Sequence, residues 1–380
     1  MAIHWCGTGL SAIPGLRRLI KEGHDVVVWN RTIGKAQEAI GDLTQNLRTF
    51  EKEELGSDLT AGDVVVSMLP GDWHVPLAEL AISKGANFVS SSYIAPEMRE
   101  LHAKAKQSGV IVVNEVGLDP GIDHLMAHKL VEEYRTSDAN KLGHAISFNS
   151  YCGGIPKIAN PFLYKFSWSP LGVLKALRSP SRSIRGFEEL NVNRPWDAIS
   201  NYIAPLPKEE TFEVYPNRDS LPFMAQYRFA DSWKVKEFVR GTLRLNGWKD
   251  AWNGVFEEIE TLSGPRREVR LMELSSQLWK DNSYNKGEPD RVVMCVDLKA
   301  EKNNQIVWHK TYVMDAWGDE KGTAMARLVS YPVSFAVEAV LSQKLSPGVS
   351  AAPDNLDLIS DWLNRISGLA QHLDIVDHVR

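Results

Sequence analysis

The densest run of reactive side chains is Asn114-Glu115-Val116-Gly117-Leu118-Asp119-Pro120-Gly121-Ile122-Asp123-His124, where two aspartates and a histidine sit among two glycines and a proline. A carboxylate held at the end of a strand can take up a proton or hold an amine. On pattern alone Asp119, Asp123 and His124 are equal candidates for such work. An aspartate ahead of a proline also caps helices, and one side chain can do both. Pro120 suits a first helical turn, and Gly121 would let a ligand approach the backbone. Near the start, Gly7-Thr8-Gly9-Leu10-Ser11-Ala12 has the G-x-G-x-x-A spacing of a turn that cradles a dinucleotide. Its first glycine permits the turn, its second lets the pyrophosphate touch the backbone, and its small third position lets helix and strand pack closely.

These residues need a scaffold, and the hydrophobic pattern supplies one. Residues 2–6 read as a strand, 11–21 as a helix with Pro14 near its start and Gly23 as its stop, and 25–30 as a second, parallel strand. The second strand ends in Asn30-Arg31-Thr32, without the acidic residue that binds the ribose 2′-hydroxyl of NAD. Arg31 instead suits a 2′-phosphate, with Thr32 as a neutral donor, so NADP is favoured over NAD. The alternation continues through strands at 47–50, 63–69, 87–92 and 110–113, with helices at 75–84 and 95–107. Strands alternating with helices imply a doubly wound parallel sheet. Right-handed crossovers then place Gly7, Leu69-Pro70, Ser91-Ser92-Tyr93 and Leu118-Asp119-Pro120 around one crevice.

From about residue 143 the pattern changes. Residues 145–151 read as a strand ending at Cys152-Gly153-Gly154. Residues 160–170 are aromatic-rich, and 178–233 read as loops and short strands. An amphipathic helix is expected over 249–281. Alternating runs at 292–298 and 306–314, joined at Lys302-Asn303-Asn304, read as a hairpin. Helices are expected at 323–341 and 355–373, the last packing back on the nucleotide half. The expected division is a dinucleotide-binding domain over 1–122, a mixed-sheet substrate domain over 123–342 and a C-terminal helical segment over 343–380.

The chain has 380 residues, 43% hydrophobic and 24% charged, with a formal net charge of -5. That balance offers no general basic surface for nucleic acid. Three scattered cysteines, Cys6, Cys152 and Cys295, make neither a disulfide framework nor a zinc site. No metal is expected. The first apolar residues run straight into a glycine turn rather than a signal-peptide pattern, and no apolar run approaches a membrane span. A cytoplasmic setting without membrane attachment is the default expectation, and the exposed faces of an antiparallel sheet leave room for a homodimer.

Ser91-Ser92-Tyr93, Asn114 to His124, Ser150-Tyr151-Cys152-Gly153-Gly154, Tyr164-Lys165-Phe166-Ser167-Trp168, Tyr215 to Ser220, Arg240 to Arg244 and Tyr331-Pro332 come in one order over most of the chain. In this the sequence resembles the saccharopine dehydrogenases of the glutamate-forming type, or saccharopine reductases. The resemblance implies a Rossmann domain with a mixed α/β substrate domain. It also implies reversible conversion of saccharopine to L-glutamate and 2-aminoadipate 6-semialdehyde. That reaction oxidises a secondary amine by hydride transfer to the nicotinamide, and the imine is then hydrolysed. Such chemistry needs a neutral amine, an activated water and groups for three carboxylates. Ile155-Pro156-Lys157-Ile158 and the turn from Ser67 to His74 depart from the family pattern, and the stretch between Arg244 and Val292 is shorter than in the fungal and animal enzymes.

On this reading Arg218 and Arg244 clamp carboxylates, with Ser92, Thr242 and the amides near Leu243 as further donors. Asp119, Tyr93 and Cys152 are the candidate catalytic groups; Tyr93 and Asp119 also contact substrate. The cofactor set is Gly7, Thr8, Gly9, Leu10, Ser11, Arg31, Thr32, Leu69, Pro70, Ser91, Leu118, Pro120 and Ser169. Lys165, His124 and His74 are weaker candidates. Two other readings stay open. One is a related C–N oxidoreductase such as carboxynorspermidine dehydrogenase; the other is a non-catalytic protein that senses NADP or scaffolds a partner.

Overall fold

The computed structural model describes residues 1–264 and 266–379. The chain divides into two compact units. One is Met1–Leu125 with Ala326–Ile366, and the other is Met126–Met325 with Ser367–Arg380. The segment 343–380 therefore does not stand apart.

The first unit is built on seven parallel strands, in the order Gly348–Ser350, Ile111–Val113, Asn87–Ser90, Val64–Ser67, Ile3–Cys6, Val26–Asn30, Leu47–Thr49. The central strands are covered on both faces, which is why they read as unbroken apolar runs: Ile3–Cys6 and Val64–Ser67 are buried throughout. The helix Ile13–Lys21 lies so close to the helix Ala324–Leu341 that a Cβ on Gly15 would stand 2.0 Å from the Ser330 carbonyl oxygen. The Ser330 hydroxyl in turn accepts from the Gly15 amide at 2.8 Å. Arg18 reaches from the same helix to Ser334 and Glu338, and Arg365 meets Glu338 from the last helix.

Several expected boundaries move. The helix over 95–107 breaks at Leu101 into Pro96–Glu100 and His102–Gln107. Helix Ala324–Leu341 is long and apolar enough to cross a membrane by length and composition, contrary to the expectation that no run approached that length; 78% of the window is buried inside the molecule. A short parallel strand, Gly348–Ser350, extends the sheet where none was expected.

The second unit carries a nine-stranded mixed sheet. Its main path runs Ser200–Ala204, Glu210–Pro216, Lys234–Leu245, Ala145–Pro156, Asp290–Lys302, Gln305–Trp317, His372–Asp377. Strands Lys234–Leu245 and Ala145–Pro156 pair in parallel, and the other neighbours on that path are antiparallel. Asn303 and Asn304 close the expected hairpin with φ of 50° and 63°, the left-handed pair that a two-residue turn requires. The amphipathic stretch after residue 248 is three helices, Trp248–Ala251, Asn253–Thr261 and Arg267–Asn282. The helix expected over 355–373 spans Leu356–Ser367, and His372–Asp377 forms an edge strand on Gln305–Trp317.

Candidate functional site

In the first unit the strand order sets the ends of Ile111–Val113, Asn87–Ser90, Val64–Ser67 and Ile3–Cys6 side by side, and the loops leaving them tile one edge. Gly7 takes φ +104°, and a Cβ there would stand 2.8 Å from the Met68 carbonyl oxygen and 3.1 Å from the Leu69 side chain. The glycine turn and Leu69-Pro70 therefore touch. At the other end of the edge, a Cβ on Gly117 would meet Ser91 at 2.9 Å. Gly9 differs: nothing lies within 4 Å of the Cβ it lacks, so the backbone there faces open space that a pyrophosphate can enter. Leu10 is exposed and Ser11 half-buried on the same turn.

Asn30 ties this turn to the next. Its Oδ1 accepts from the Thr8 amide at 3.2 Å and its Nδ2 donates to the Thr32 carbonyl at 2.8 Å. Asn30 carries no charge and gives no signal of its own in the sequence; its role depends on where the two turns meet. The buried Thr8 hydroxyl has no hydrogen-bond partner among the described residues. Arg31 and Thr32 are exposed at the sheet edge, and Arg31 makes no ion pair among the described residues. An open glycine face, an orphaned buried hydroxyl and an unpaired guanidinium fit a phosphorylated dinucleotide. Gly7, Thr8 and Gly9 would hold its pyrophosphate and Arg31 its 2′-phosphate.

The loop after the sixth strand is built around Glu115, which is buried and adopts φ 57°. Its amide donates to the Ser92 carbonyl at 3.0 Å, and its Oε1 accepts from the Ile94 amide at 2.9 Å. Its Oε2 lies 3.0 Å from His124 Nε2. Glu115 thus fixes the Ser91-Ser92-Tyr93 loop beside the Leu118-Asp119-Pro120 loop. Asp119 itself accepts from the Tyr93 hydroxyl at 3.0 Å. The peptide bond from Asp119 to Pro120 is cis. Asp123 Oδ1 accepts from the Gly121 amide at 2.7 Å, and the helix begins at Ile122. Asp123 and His124 are fully buried. The reading of Gly121 as an approach point for ligand is corrected: a Cβ there would meet the Gly117 carbonyl oxygen at 2.1 Å, so its bareness serves chain-to-chain packing.

His74 is more central to this edge than the sequence suggested. It opens the helix His74–Lys84 with only 7% of its surface exposed. Its Nδ1 lies 2.8 Å from the Ser67 hydroxyl and its Nε2 lies 2.8 Å from the Ser92 hydroxyl. Burial pushes its pKa down to about 4, against a weaker upward pull from Asp72. A histidine seven residues after a strand-terminal serine, with Ser91-Ser92 closing the next strand, was the signal available for this arrangement.

The second unit arranges its candidates by register. Cys152 pairs with Thr242 on one side and Met294 on the other, and Thr242 pairs with Tyr215. Strand alternation puts Thr242 and Arg244 on the same face. Leu243 goes to the other face, into the core of Tyr151, Phe212, Val239 and Val293. Its side chain is unavailable, and its carbonyl accepts from Arg244 Nη1 at 3.1 Å. Arg244 is 5% exposed and stacked among Tyr164, Tyr215 and Trp248, at 4.8, 5.7 and 5.4 Å from their ring centroids. It has no ion-pair partner among the described residues. Glu213, opposite it in register, directs its carboxylate to the Gly247 and Lys249 amides at 3.0 and 2.8 Å. Burial raises the Tyr215 pKa, while the Arg244 charge pulls it down.

Other candidates are exposed or are engaged by partners of their own. Arg218 is exposed, with φ 56°, in the loop where Asp219 pairs with Arg182. Lys165 is held by both oxygens of Glu288 at 2.6 and 2.7 Å. Ser169 caps the helix Pro170–Leu177, accepting from the Gly172 amide at 3.2 Å. Asp297, His309 and His378 also gather. The two imidazoles stack at 3.9 Å with planes 17° apart, so their lone pairs lie in nearly parallel planes and do not converge as metal ligands must.

The parallel sheet with its glycine turn and the separate mixed sheet define a two-domain protein of the dinucleotide-binding class. The profile described as saccharopine dehydrogenase NADP binding domain matches residues 3–113, and that of the saccharopine dehydrogenase C-terminal domain matches residues 117–368. The chain belongs to the saccharopine dehydrogenase family, and its first part is that family's NADP-binding domain. A saccharopine dehydrogenase [NADP(+), L-glutamate-forming] of Pyricularia oryzae is 36% identical over 252 residues, covering 64% of this chain and 54% of that protein. One from Schizosaccharomyces pombe is 33% identical, again over 64% of this chain and 54% of that protein. The matched stretch thus spans about half the length of these relatives. Among solved structures, apo saccharopine dehydrogenase (L-Glu forming) from Saccharomyces cerevisiae superposes with a TM-score of 0.79 at 26% identity, covering 99% of each chain.

Proposed function

We propose that this chain is an NADP-dependent oxidoreductase that interconverts saccharopine with L-glutamate and 2-aminoadipate 6-semialdehyde. The observation that carries this reading is Arg244. A buried guanidinium without an ion-pair partner among the described residues leaves its charge uncompensated by them, and a planar carboxylate is the group its fork matches. Saccharopine carries three carboxylates, and the named relatives act on it.

The bound cofactor supplies the acceptor for hydride. In the reading offered here, Asp119 holds the proton given up by the substrate amine, because a neutral amine is what can release hydride from its neighbouring carbon. Tyr93 fixes that carboxylate through its 3.0 Å hydrogen bond. Thr242 and Arg244 bind a substrate carboxylate. Cys152, buried beside Thr242, lines the same face of its sheet. A reducing, cytoplasmic setting accords with three buried cysteines that are joined by no disulfide among the described residues.

The experiment is turnover of saccharopine with NADP, followed by the absorbance of the reduced nicotinamide. Oxidation with preference for NADP supports the reading; bound NADP without turnover removes it.

A further inference from the structure

We propose that His74 is a positioning residue that makes the Ser92 hydroxyl an outward hydrogen-bond donor to a substrate carboxylate, with Ser67 setting the imidazole tautomer. This rests on the reading of Ser92 as a substrate contact and specifies what kind of group it meets.

The argument is a count of protons. A neutral imidazole has one N–H and one lone pair. Ser67 is fully buried at the end of its strand, and its hydroxyl meets His74 Nδ1. If Nδ1 carried the proton it would donate to Ser67, and the proton of that fully buried hydroxyl would be left without the acceptor that Nδ1 otherwise offers. If Nε2 carries it, every group is satisfied. The Ser67 hydroxyl donates to Nδ1, and Nε2–H donates to the Ser92 oxygen at 2.8 Å. A buried polar group left unmatched is the costlier arrangement, so the second tautomer is favoured.

That tautomer decides what Ser92 offers. Its amide is turned to the Ser90 hydroxyl at 3.3 Å, and its carbonyl accepts from Glu115. Its oxygen already receives a hydrogen bond from His74. Its own proton is left pointing away from the imidazole, on a half-buried side chain. A chain of aligned hydrogen bonds strengthens its last donor, and an anionic oxygen is the acceptor that gains most. The opposite tautomer would make Ser92 an acceptor, suited to an ammonium or hydroxyl instead. Burial keeps His74 neutral at ordinary pH, as this arrangement requires.

Two measurements test it on the full chain. In protein with ¹⁵N-labelled histidine, assigned by loss of one ring signal in His74→Gln, the His74 ring is expected to be neutral and protonated at Nε2 at pH 7. An Nδ1–H or doubly protonated ring overturns the proposal. In kinetics, His74→Phe is expected to raise KM for saccharopine by about tenfold or more, with a smaller change in kcat and an unchanged KM for NADP. His74→Gln, which keeps one donor and one acceptor, is expected to recover most of that loss. In the Ser92→Ala background, His74→Phe is expected to add little. Unchanged KM for saccharopine in His74→Phe, or full additivity with Ser92→Ala, overturns it. Should His74→Phe not fold, Ser67→Ala reads the same effect at smaller size through KM and the tautomer signal. Failure of the wild-type protein to turn over saccharopine would remove the proposed function, while the NMR result would still decide the tautomer.

Discussion

The Tyr93 hydroxyl donates to Asp119 Oδ1 at 3.0 Å, joining the loop after one strand to the loop after its neighbour. Neither residue is near the other in sequence; the parallel pairing of Asn87–Ser90 with Ile111–Val113 brings them together. Asp119 therefore accepts a hydrogen bond from a neutral donor.

Asp119→Asn keeps the size of the side chain and loses its charge. It is expected to lower kcat for saccharopine by about 10²- to 10⁴-fold while NADP affinity and melting temperature stay near wild type. Steady-state kinetics with a melting curve decide this. A large loss of stability with kcat retained would make Asp119 a turn residue only. Tyr93→Phe is expected to cost less, about tenfold.

Arg244→Met separates stability from function. Removing a buried guanidinium that has no ion-pair partner among the described residues, in favour of an apolar side chain, is expected to leave stability unchanged or raise it by about 1 kcal/mol or more. It is expected to raise KM for saccharopine by roughly 10- to 100-fold. A strongly destabilised variant would place Arg244 in the fold's own support.

Two glycines of the first helix and its turn are expected to part company. Gly15→Ala forces a Cβ to within 2.0 Å of the Ser330 carbonyl oxygen and is expected to destabilise by about 2 kcal/mol or more. Gly9→Ala meets nothing within 4 Å, so thermal stability should hold while NADP affinity falls, as measured by quenching of protein fluorescence. Equal effects of the two on melting would contradict the assignment of Gly9 to ligand.

Acid stability should carry the mark of His74. Its pKa falls from 6.5 unfolded to about 4 folded through burial. Above 6.5 both states are neutral and this contribution is fully present. As pH falls from there toward about 4, the unfolded chain takes up a proton that the folded ring refuses, and stability drops by up to about 3 kcal/mol. Urea unfolding between pH 4.5 and 7.5 should show this slope, and His74→Gln should flatten it. His4, also lowered mainly by burial, leaves a remainder. An unaltered slope in His74→Gln would contradict the burial argument.

Much of this was legible in the primary structure because it rests on local pattern. The alternating apolar runs announced the parallel sheet. The G-x-G-x-x-A turn announced the cradle, and parallel topology alone implied one edge for Gly7, Leu69-Pro70, Ser91-Ser92-Tyr93 and Leu118-Asp119-Pro120. What stayed hidden depends on partners distant in sequence. Residues 372–377 carry helix-like apolar spacing at Leu373 and Val376 and become a strand only by pairing with Gln305–Trp317. Gly348–Ser350 is too short to announce itself and is ordered by Ile111–Val113. Asn30 gave no signal and His74 stood only as a weaker candidate, because each acts by bridging two loops, which composition does not reveal.

The central claim is tested most directly by the rate of nicotinamide reduction when purified protein meets saccharopine with NADP or NAD. The account predicts turnover with NADP preferred, and Arg31→Asp raising KM for NADP by roughly tenfold or more. Tight NADP binding without any reduction in the presence of saccharopine would contradict it.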